Sequence, residues 1–281
     1  MVDEGILDKR LLLIESEFSS MLRQADRPGN TLSPLLRDVW DRKAMLSTLT
    51  RSPLVATGAL ISLIGHTTRE DLEAHVTTTD ARNGFLNRFW ILETTRAQEL
   101  PLPKEIPHDD LEMLGAQVFA ALSLAKRAGK ILLTPAAGER FTAAYSRLSS
   151  GAPSLLGSVL SRGPAHVRRM AVIYALTRSA KLVDACDIES ALALWRECEN
   201  SVRSIFGTRT GDRLADRNWR EMAKGSQYSL TELRARVLGT GDVRSDQLRT
   251  SIEALLDAFP DEFTLTSEKT KGRSKEILAR R

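Results

Sequence analysis

Three short apolar runs alternate with helical patterns in the first hundred residues of this chain. The runs occupy residues 10–14, 59–64 and 89–93. Continuous apolar runs of this length are typical of strands that are buried on both faces, and strands separated by helices pair in parallel. The segments predicted as helices in this region are 17–26, 33–41 and 68–76. The sequence therefore predicts a mixed α/β fold that begins with part of a parallel sheet.

The composition is that of an ordinary globular chain. Of the 281 residues, 42% are apolar and 27% are charged. The longest apolar stretch, 54–65, is interrupted by Thr57, Gly58 and Ser62 and is too short to cross a bilayer. Residues 1–10 contain acids where a signal peptide carries basic residues. These features predict a cytoplasmic protein without a membrane partner.

The basic residues are mostly arginine, although the net charge is only +4. The planar guanidinium binds phosphate oxygens in pairs, so an arginine-rich chain suits phosphate recognition. A GC-rich genome, which favours arginine codons, explains the same excess without any function. Cys186 and Cys198 match no metal-ligand spacing and are expected to be reduced packing residues.

From residue 108 to residue 206 the pattern becomes helical. Thr134 followed by Pro135 predicts a helix start, and Asp187 is expected to cap a later helix. Two predicted helices each have an apolar face. The first face consists of Leu111, Leu114, Val118 and Leu122, and the second of Ile188, Leu192, Trp195, Val202 and Phe206. We therefore interpret residues 101–209 as a helical bundle or lid.

Residues 210–281 are predicted to form a separate winged-helix domain. Ser229 and Glu232 form a capping box that opens a short helix. A second helix follows a glycine-containing turn, and its apolar side consists of Leu248, Ile252, Leu255 and Phe259. Strands at 263–266 and 276–279 then flank a basic loop at 267–274.

Polar residues follow the first two apolar runs, where parallel strands would end side by side. Glu15 and Glu17 follow the first run, and His66 follows the second. In P-loop ATPases a carboxylate at this edge holds magnesium, and a second one orients the attacking water. Glu15 is thus the candidate magnesium ligand. Many buried strands also end in an exposed acid, and His66 alternatively belongs to a loop that caps the next helix through Thr67 or Thr68.

Arg88 immediately precedes the third apolar run in an aromatic setting. An arginine at such a position can reach a neighbouring subunit's nucleotide as an arginine finger. The alternative is a structural arginine that stacks on Phe85 or Trp90. The sequence alone leaves both interpretations open.

Several segments together resemble a known family. They are 8–18 (DKRLLLIESEF), 29–41 (GNTLSPLLRDVWD), 50–72 (TRSPLVATGALISLIGHTTREDL), 83–92 (NGFLNRFWIL), 161–176 (SRGPAHVRRMAVIYAL), 191–207 (ALALWRECENSVRSIFG) and 272–280 (GRSKEILAR). They resemble the ATPase/helicase-like domain that accompanies bifunctional DNA primase-polymerases on phages, plasmids and integrated elements. The resemblance implies a partial RecA/AAA-like P-loop NTPase core at 1–100, a helical lid at 101–209 and a winged helix at 210–281. It also implies a homo-oligomer or a primase-type partner.

A fainter likeness links the chain to minichromosome-maintenance helicases. In those proteins an arginine–phenylalanine pair, as in Arg88-Phe89, carries the arginine finger. A second arginine, seven residues before an arginine–apolar–alanine step, senses the phosphate from the lid. Arg162 stands seven residues before Arg169-Met170-Ala171 and is the candidate. His166 and Arg168 in the same helix are expected to cap it or to face solvent.

The 281 residues contain no G-x-x-x-x-G-K-[ST] phosphate-binding loop. The nearest string, 128–131, lacks the first glycine and the final hydroxyl and does not link a strand to a helix. Without that loop the β- and γ-phosphates lose their backbone amides and lysine. ATP and magnesium are therefore expected as cofactors only if a missing N-terminal segment is supplied. Three explanations stay open: translation starts inside a longer gene, the loop lies on another polypeptide, or the chain does not turn over ATP.

Basic residues near the end of the chain are the candidate DNA contacts. The predicted wing contributes Lys269, Lys271, Arg273 and Lys275, and Arg280 and Arg281 follow them. Arg244, Gln247 and Thr250 lie at the start of the predicted recognition helix. We expect weak, salt-dependent contact with DNA, and the alternative is a structural or protein-binding role. The functional hypotheses are a replication ATPase/helicase-like protein of a mobile element, a non-enzymatic DNA-binding or regulatory winged-helix protein, and an inactive truncated remnant.

Overall fold

The computed structural model describes residues 5–25, 27, 29–47, 55–76, 84–102, 104–150, 155–207, 210, 212–238, 244–269 and 274–281. The chain divides into two compact units. The first consists of Met1–Phe89, Ala152–Val159 and Ile205–Arg281, and the second of Trp90–Gly151 and Leu160–Ser204. The fold is mixed α/β, with many helices and small sheets. The predicted class is thereby confirmed, whereas the three predicted domain boundaries stay a prediction.

The first unit contains the predicted parallel strand pair. Strand β1 (Arg10–Glu15) pairs in parallel with β4 (Leu60–Gly65), with Leu12 opposite Ser62 and Glu15 opposite Gly65. Branched and leucine side chains fill both strands, as expected for residues that fit a pleated backbone. The strands predicted at 10–14 and 59–64 are therefore confirmed as a parallel pair. Their predicted burial on both faces is wrong, because Leu11, Leu12 and Ile14 are 54%, 58% and 63% exposed among the described residues.

Short helices accompany these strands. They are α1 (Phe18–Ala25), α2 (Leu32–Trp40) and α3 (Arg69–His75). At the start of α3 the Thr68 hydroxyl accepts a hydrogen bond from the Asp71 backbone N–H at 3.1 Å, which satisfies one of the free N-terminal donors. The helices predicted at 17–26, 33–41 and 68–76 are confirmed within one or two residues at each end.

The third predicted strand, at 89–93, is wrong. A single 3₁₀ turn (Leu86–Arg88) precedes an extended segment that pairs with no strand among the described residues. Instead, the Phe89 ring packs edge-on against Phe18 at 5.4 Å and Phe85 at 5.1 Å between centroids. Aromatic packing partly buries Phe89 without a strand ladder, whereas Leu92 is 46% exposed. An apolar run alone does not distinguish a strand from such a segment.

An antiparallel hairpin appears where none was predicted. Strands β2 (Met45–Ser47) and β3 (Val55–Thr57) pair with Leu46 opposite Ala56. Each strand has only three residues, which is too short for the alternation of apolar and polar residues to be recognised in the sequence.

The helices of the middle region follow the predicted pattern. They are α4 (His108–Ala125), α5 (Pro135–Ser149), α6 (Leu155–Leu160), α7 (Gly163–Thr177) and α8 (Ala185–Phe206). The predicted start of α5 is confirmed, because the Thr134 hydroxyl accepts a hydrogen bond from the Ala137 N–H at 3.2 Å. Two short parallel strands, β5 (Leu132–Leu133) and β6 (Leu182–Val183), complete the second unit.

The predicted cap of α8 requires a correction. Asp184, and not Asp187, precedes the helix, and its carboxylate accepts from the Ala185 N–H at 2.8 Å. Asp187 lies inside the first turn and accepts from the Asp184 N–H at 2.7 Å, as the third helical residue of a capping box does. Arg178 donates two hydrogen bonds to Asp187, and these bonds hold the pKa of that carboxyl below its usual value.

Residues 212–281 complete the first unit. They form α9 (Arg213–Glu221), β7 (Gln227–Ser229), α10 (Leu230–Leu238), α11 (Ser245–Ala258), β8 (Phe263–Lys269) and β9 (Ser274–Arg280). The three strands form an antiparallel sheet in the order β7-β9-β8. The predicted capping box is confirmed, because Ser229 donates through both its N–H and its hydroxyl to the Glu232 carboxylate.

One apolar core holds this C-terminal part together. Its fully or nearly fully buried residues are Ala215, Met222, Leu233, Leu248, Ile252, Leu255, Phe263 and Leu278. The apolar side predicted for α11 is thus confirmed for its first three residues, and Phe259 packs against the same core while partly exposed. No helix among the described residues is both long and apolar enough to cross a membrane.

Candidate functional site

The carboxyl ends of β1 and β4 bring the first candidate residues together. The His66 N–H donates to the Glu15 carbonyl at 2.9 Å, and the Phe18 N–H donates to the His66 carbonyl at 2.8 Å. These bonds extend the parallel ladder by one step beyond the strands. The backbones of Glu15, Glu17 and His66 consequently meet at one edge, as the sequence predicts for consecutive parallel strands.

The side chains at this edge are accessible to solvent. Glu17 and His66 are exposed, and Glu15 is half-buried. The Glu15 carboxylate accepts a long hydrogen bond of 3.4 Å from the Glu17 N–H. Within the described parts of the chain, no group of three or more His, Cys, Asp or Glu residues is arranged to hold a metal ion. A cation at Glu15 would thus need ligands from a nucleotide or from water, and the magnesium assignment stays a prediction.

Gly65 is the residue that lets the chain fold closely over this edge. A Cβ at Gly65 would lie 2.7 Å from the Phe18 ring, which is closer than real contacts allow. The Phe18 ring therefore lies directly against the end of β4, next to Glu17 in sequence. A glycine at the end of an apolar strand signals such a close approach, and this signal was present in the sequence.

Arg88 lies in a network within the first unit. Its side chain is only 8% exposed and donates to the Asp41 carboxylate and to the Gly84 carbonyl. Its guanidinium also lies over the Trp40 ring, 5.5 Å from the centroid. This aromatic partner, Trp40, was not among those considered from the sequence, which were Phe85 and Trp90. Use as an arginine finger would require Arg88 to leave these contacts, and that role stays a prediction.

Arg162 lies in the second unit, at the residue preceding α7. Its carbonyl accepts from the Ala165 N–H at 3.0 Å and from the His166 N–H at 3.1 Å, so its backbone starts the helix. Its side chain is partly exposed. The role of a phosphate sensor is a prediction for this side chain.

His166 is buried, contrary to the expectation that it caps α7 or faces solvent. Its ring stacks on Trp195 at 5.4 Å with an interplanar angle of 19°, and Trp90 meets it edge-on at 5.5 Å. The helical spacing placed His166 on the same side of α7 as Gly163, which is also buried, but the sequence did not show which side packs inward.

Two arginines of α7 line a pocket that sequence reasoning missed. The pocket has a volume of about 350 Å³ and lies within the second unit. Its lining is otherwise apolar, and the lining residues are Ile131, Leu133, Ala165, Arg168, Arg169, Val172, Val183 and Ile188. Apolar walls beside two guanidinium groups suit an anion with an apolar body.

The candidate DNA contacts on α11 are all exposed. Gln247 accepts a hydrogen bond from the Arg244 N–H at 3.2 Å and thereby caps the helix. The Thr250 hydroxyl donates to the Asp246 carbonyl at 3.1 Å, and the Arg244 guanidinium lies 3.8 Å from the Asp246 carboxylate. Gln247 and Thr250 are thus partly engaged in the helix itself, which reduces what they offer to a base edge.

The exposed side of α11 is not basic overall. Arg249 approaches Glu276 of β9 at 3.4 Å, and Glu253 and Asp257 are exposed further along the helix. Acidic residues on this side oppose close approach of a phosphate backbone. The charge pattern therefore disfavours deep insertion of α11 into a groove.

The β8–β9 hairpin contains the other basic candidates. Lys269 ends β8 opposite Ser274, and Lys275 follows on β9. The Lys275 ammonium lies 3.9 Å from Glu232, an exposed carboxyl whose pKa is lowered mainly by its hydrogen bonds from Ser229 and further by this lysine. Lys271 and Arg273 lie outside the described residues.

Arg280 is a structural residue and does not belong to a free basic tail. It is 9% exposed and donates to the carbonyls of Trp219 and Met222 at 2.9 and 2.7 Å. It also pairs with Glu262 at 3.0 Å, and its guanidinium lies 4.2 Å from the Trp219 ring centroid. The neighbouring Arg281 is exposed. Counting basic residues near the chain end thus overestimated the charge available to DNA.

Comparison with protein-family models and with curated proteins gives no match for this chain. Function is therefore inferred from the residues and their geometry.

Proposed function

We propose that this chain is a DNA-binding component of a DNA-replication ATPase assembly of a mobile element, and that it does not turn over ATP by itself. The observation that carries the proposal is the C-terminal arrangement of α9, β7, α10, α11, β8 and β9 with the strand order β7-β9-β8. Helix, strand, two helices and two strands in this order is the layout of a winged helix. In that layout the exposed α11 corresponds to the recognition helix and the β8–β9 hairpin to the wing.

The charges favour contact with phosphates over reading of bases. The hairpin and its connection contain Lys269, Lys271, Arg273 and Lys275. By contrast, α11 exposes acids beside its single arginine, Arg249, and Gln247 is engaged in its cap. Phosphate contacts hold a protein on DNA without selecting a sequence. We therefore propose weak binding to duplex DNA with little sequence preference.

The connection to an ATPase assembly is supported by the β1–β4 pair. The two strands are parallel, with Glu15 opposite Gly65, and Glu17 and His66 follow β1 and β4 in sequence. This arrangement resembles the acidic edge of a P-loop ATPase sheet. The partial RecA/AAA-like core is proposed on this basis together with the family resemblance. Its phosphate-binding loop is absent from the 281 residues, so the loop has to come from elsewhere for turnover.

A salt titration of duplex binding by the full chain tests the DNA proposal. If the four wing residues each neutralise one phosphate, the slope of log affinity against log salt is roughly −3 to −4. Between 50 and 200 mM salt the affinity should then fall by about two orders of magnitude. Fluorescence anisotropy with a labelled duplex measures this slope.

Single substitutions provide the control. Lys275→Ala should reduce the slope by about one, whereas Arg234→Ala, an exposed arginine on α10, should leave it unchanged. Undetectable binding at about 50 mM salt, or binding insensitive to salt, would exclude phosphate contact by the wing.

The isolated chain is expected to hydrolyse ATP no faster than buffer. The reason is the missing cradle of backbone amides and lysine around the phosphates. Phosphate release with magnesium and ATP measures this rate, with Glu17→Gln as the matched variant. Magnesium-dependent turnover that disappears in Glu17→Gln would refute the expectation and reveal an unorthodox phosphate-binding loop.

The second candidate function is a non-enzymatic regulator whose winged helix contacts another protein. The acidic residues Asp246, Glu253 and Asp257 on the exposed side of α11 favour it. It predicts no duplex binding at low salt, so the same titration separates it from the first proposal.

A further inference from the structure

Helix α4 leaves a long apolar surface exposed. None of its 18 residues is buried among the parts of the chain that the structure describes, although it contacts α7. Its large apolar side chains are 50% to 74% exposed, and they are Leu111, Met113, Leu114, Val118, Phe119 and Leu122. Contiguous apolar surfaces of this kind mark interaction sites in proteins that are stable in water.

Part of this surface forms a single stripe. At 100° per residue, five positions fall within an arc of about 100°, and they are Leu111, Gly115, Val118, Phe119 and Leu122. Open space surrounds the position that a Cβ at Gly115 would occupy. A glycine in the middle of the stripe lets the backbone of a second helix approach closely. Met113 lies on the opposite side of α4.

The charged residues beside the stripe are symmetric about Phe119. Glu112 stands seven residues before Phe119, and Lys126 stands seven residues after it. Lys126 keeps helical backbone angles, so both lie along the same edge of the stripe. Glu112 pairs with His108 at 3.1 Å, but both side chains are largely exposed and can be reached by a second charge.

We propose that the occupant of this surface is α4 of a second copy of the chain, packed antiparallel about a twofold axis at Phe119. In that arrangement Glu112 faces the Lys126 of the other copy, and Lys126 faces its Glu112. Leu122 comes opposite residue 116 of the other copy, next to that copy's Gly115. The absence of a side chain at Gly115 leaves room for Leu122. A twofold interface uses the same patch on both subunits and must be self-complementary, which this stripe is. The proposal does not depend on DNA or nucleotide binding.

The oligomeric state of the full chain tests this proposal. Analytical ultracentrifugation at micromolar concentration should give twice the chain mass of 31.1 kDa. Phe119→Glu places two carboxylates together at the axis and should weaken the dimer by at least about 100-fold. The matched control is Met113→Glu, which adds the same charge to another exposed position, on the opposite side of α4, and should leave the dimer intact. Circular dichroism should show unchanged helix content in both variants.

Exchanging the charges of Glu112 and Lys126 tests whether the two α4 helices are antiparallel. Glu112→Lys and Lys126→Glu should each weaken the dimer by about 3- to 10-fold, because exposed pairs are worth about 1 kcal/mol or less. The double variant should restore it, because each swapped charge again meets its opposite on the other copy. A double variant weaker than both single variants would overturn the antiparallel arrangement.

Cross-linking locates the axis. With Cys186→Ser removing the exposed native thiol, Phe119→Cys should form an intersubunit disulfide. Leu111→Cys should not, because an antiparallel pair separates it from its counterpart by about 24 Å along the helix. Wild-type protein that stays monomeric up to about 100 μM, or equal disruption by Met113→Glu, would overturn the proposal.

Discussion

Trp195→Ala is expected to lower the free energy of unfolding by about 3 to 5 kcal/mol, as is usual for a buried tryptophan replaced by alanine. Trp195 is 1% exposed, and its ring contacts the rings of His166 and Trp90 at 5.4 and 5.2 Å. A Cβ at Gly163 would lie 3.1 Å from the same ring, so the packing there is tight and leaves a cavity when the indole is removed.

The loss also includes a polar contact. The Trp195 indole N–H donates to Glu199 at 2.9 Å, and Glu199 in turn pairs with Arg147 at 2.7 Å. Denaturant unfolding of Trp195→Ala and Trp195→Phe separates the two contributions, because phenylalanine keeps most of the ring but cannot donate. A single unfolding transition is required for the comparison.

Tyr145→Ala is the control for this experiment. Tyr145 lies in the same unit but is half exposed, so its removal should change stability by no more than about 0.5 kcal/mol. A loss below about 1 kcal/mol in Trp195→Ala would mean that the Trp90–His166–Trp195 cluster does not anchor the second unit.

Arg280→Ala is expected to destabilise the protein by about 2 to 4 kcal/mol. The substitution leaves the carbonyls of Trp219 and Met222 without this donor and removes the ion pair with Glu262. It also removes the cation from the Trp219 ring. Arg280→Lys should recover only part of this loss, because an ammonium cannot reproduce the fork of donors.

Arg281→Ala provides a control of equal charge change at the adjacent position. Its side chain is exposed, so stability should change by about 0.5 kcal/mol or less. The pair also tests the functional assignment, since Arg280→Ala should reduce DNA binding only to the extent that it unfolds the protein. A folded Arg280→Ala variant with a flatter salt slope would show that Arg280 contacts phosphate directly.

Much of the local structure was determined by the sequence itself. The β1 and β4 runs, the Thr134 cap and the Ser229–Glu232 capping box depend on residues within a few positions of one another, and all are present. The meeting of Glu15 with His66 was predictable for a related reason, because paired parallel strands end at the same edge of a sheet.

Where the local sequence was compatible with two structures or two roles, the tertiary structure decided between them. Residues 89–93 satisfied the pattern of a buried strand, but contacts of Phe89 with Phe18 gave packing without pairing. Arg88 and Arg280 were equally suited by sequence to bind a phosphate or to brace the fold. In the structure Arg88 donates a hydrogen bond to Asp41, 47 residues away in sequence, and Arg280 donates one to the Trp219 carbonyl, 61 residues away. Such partners are set by how distant segments pack, and a charged residue is buried only where that packing supplies its hydrogen bonds.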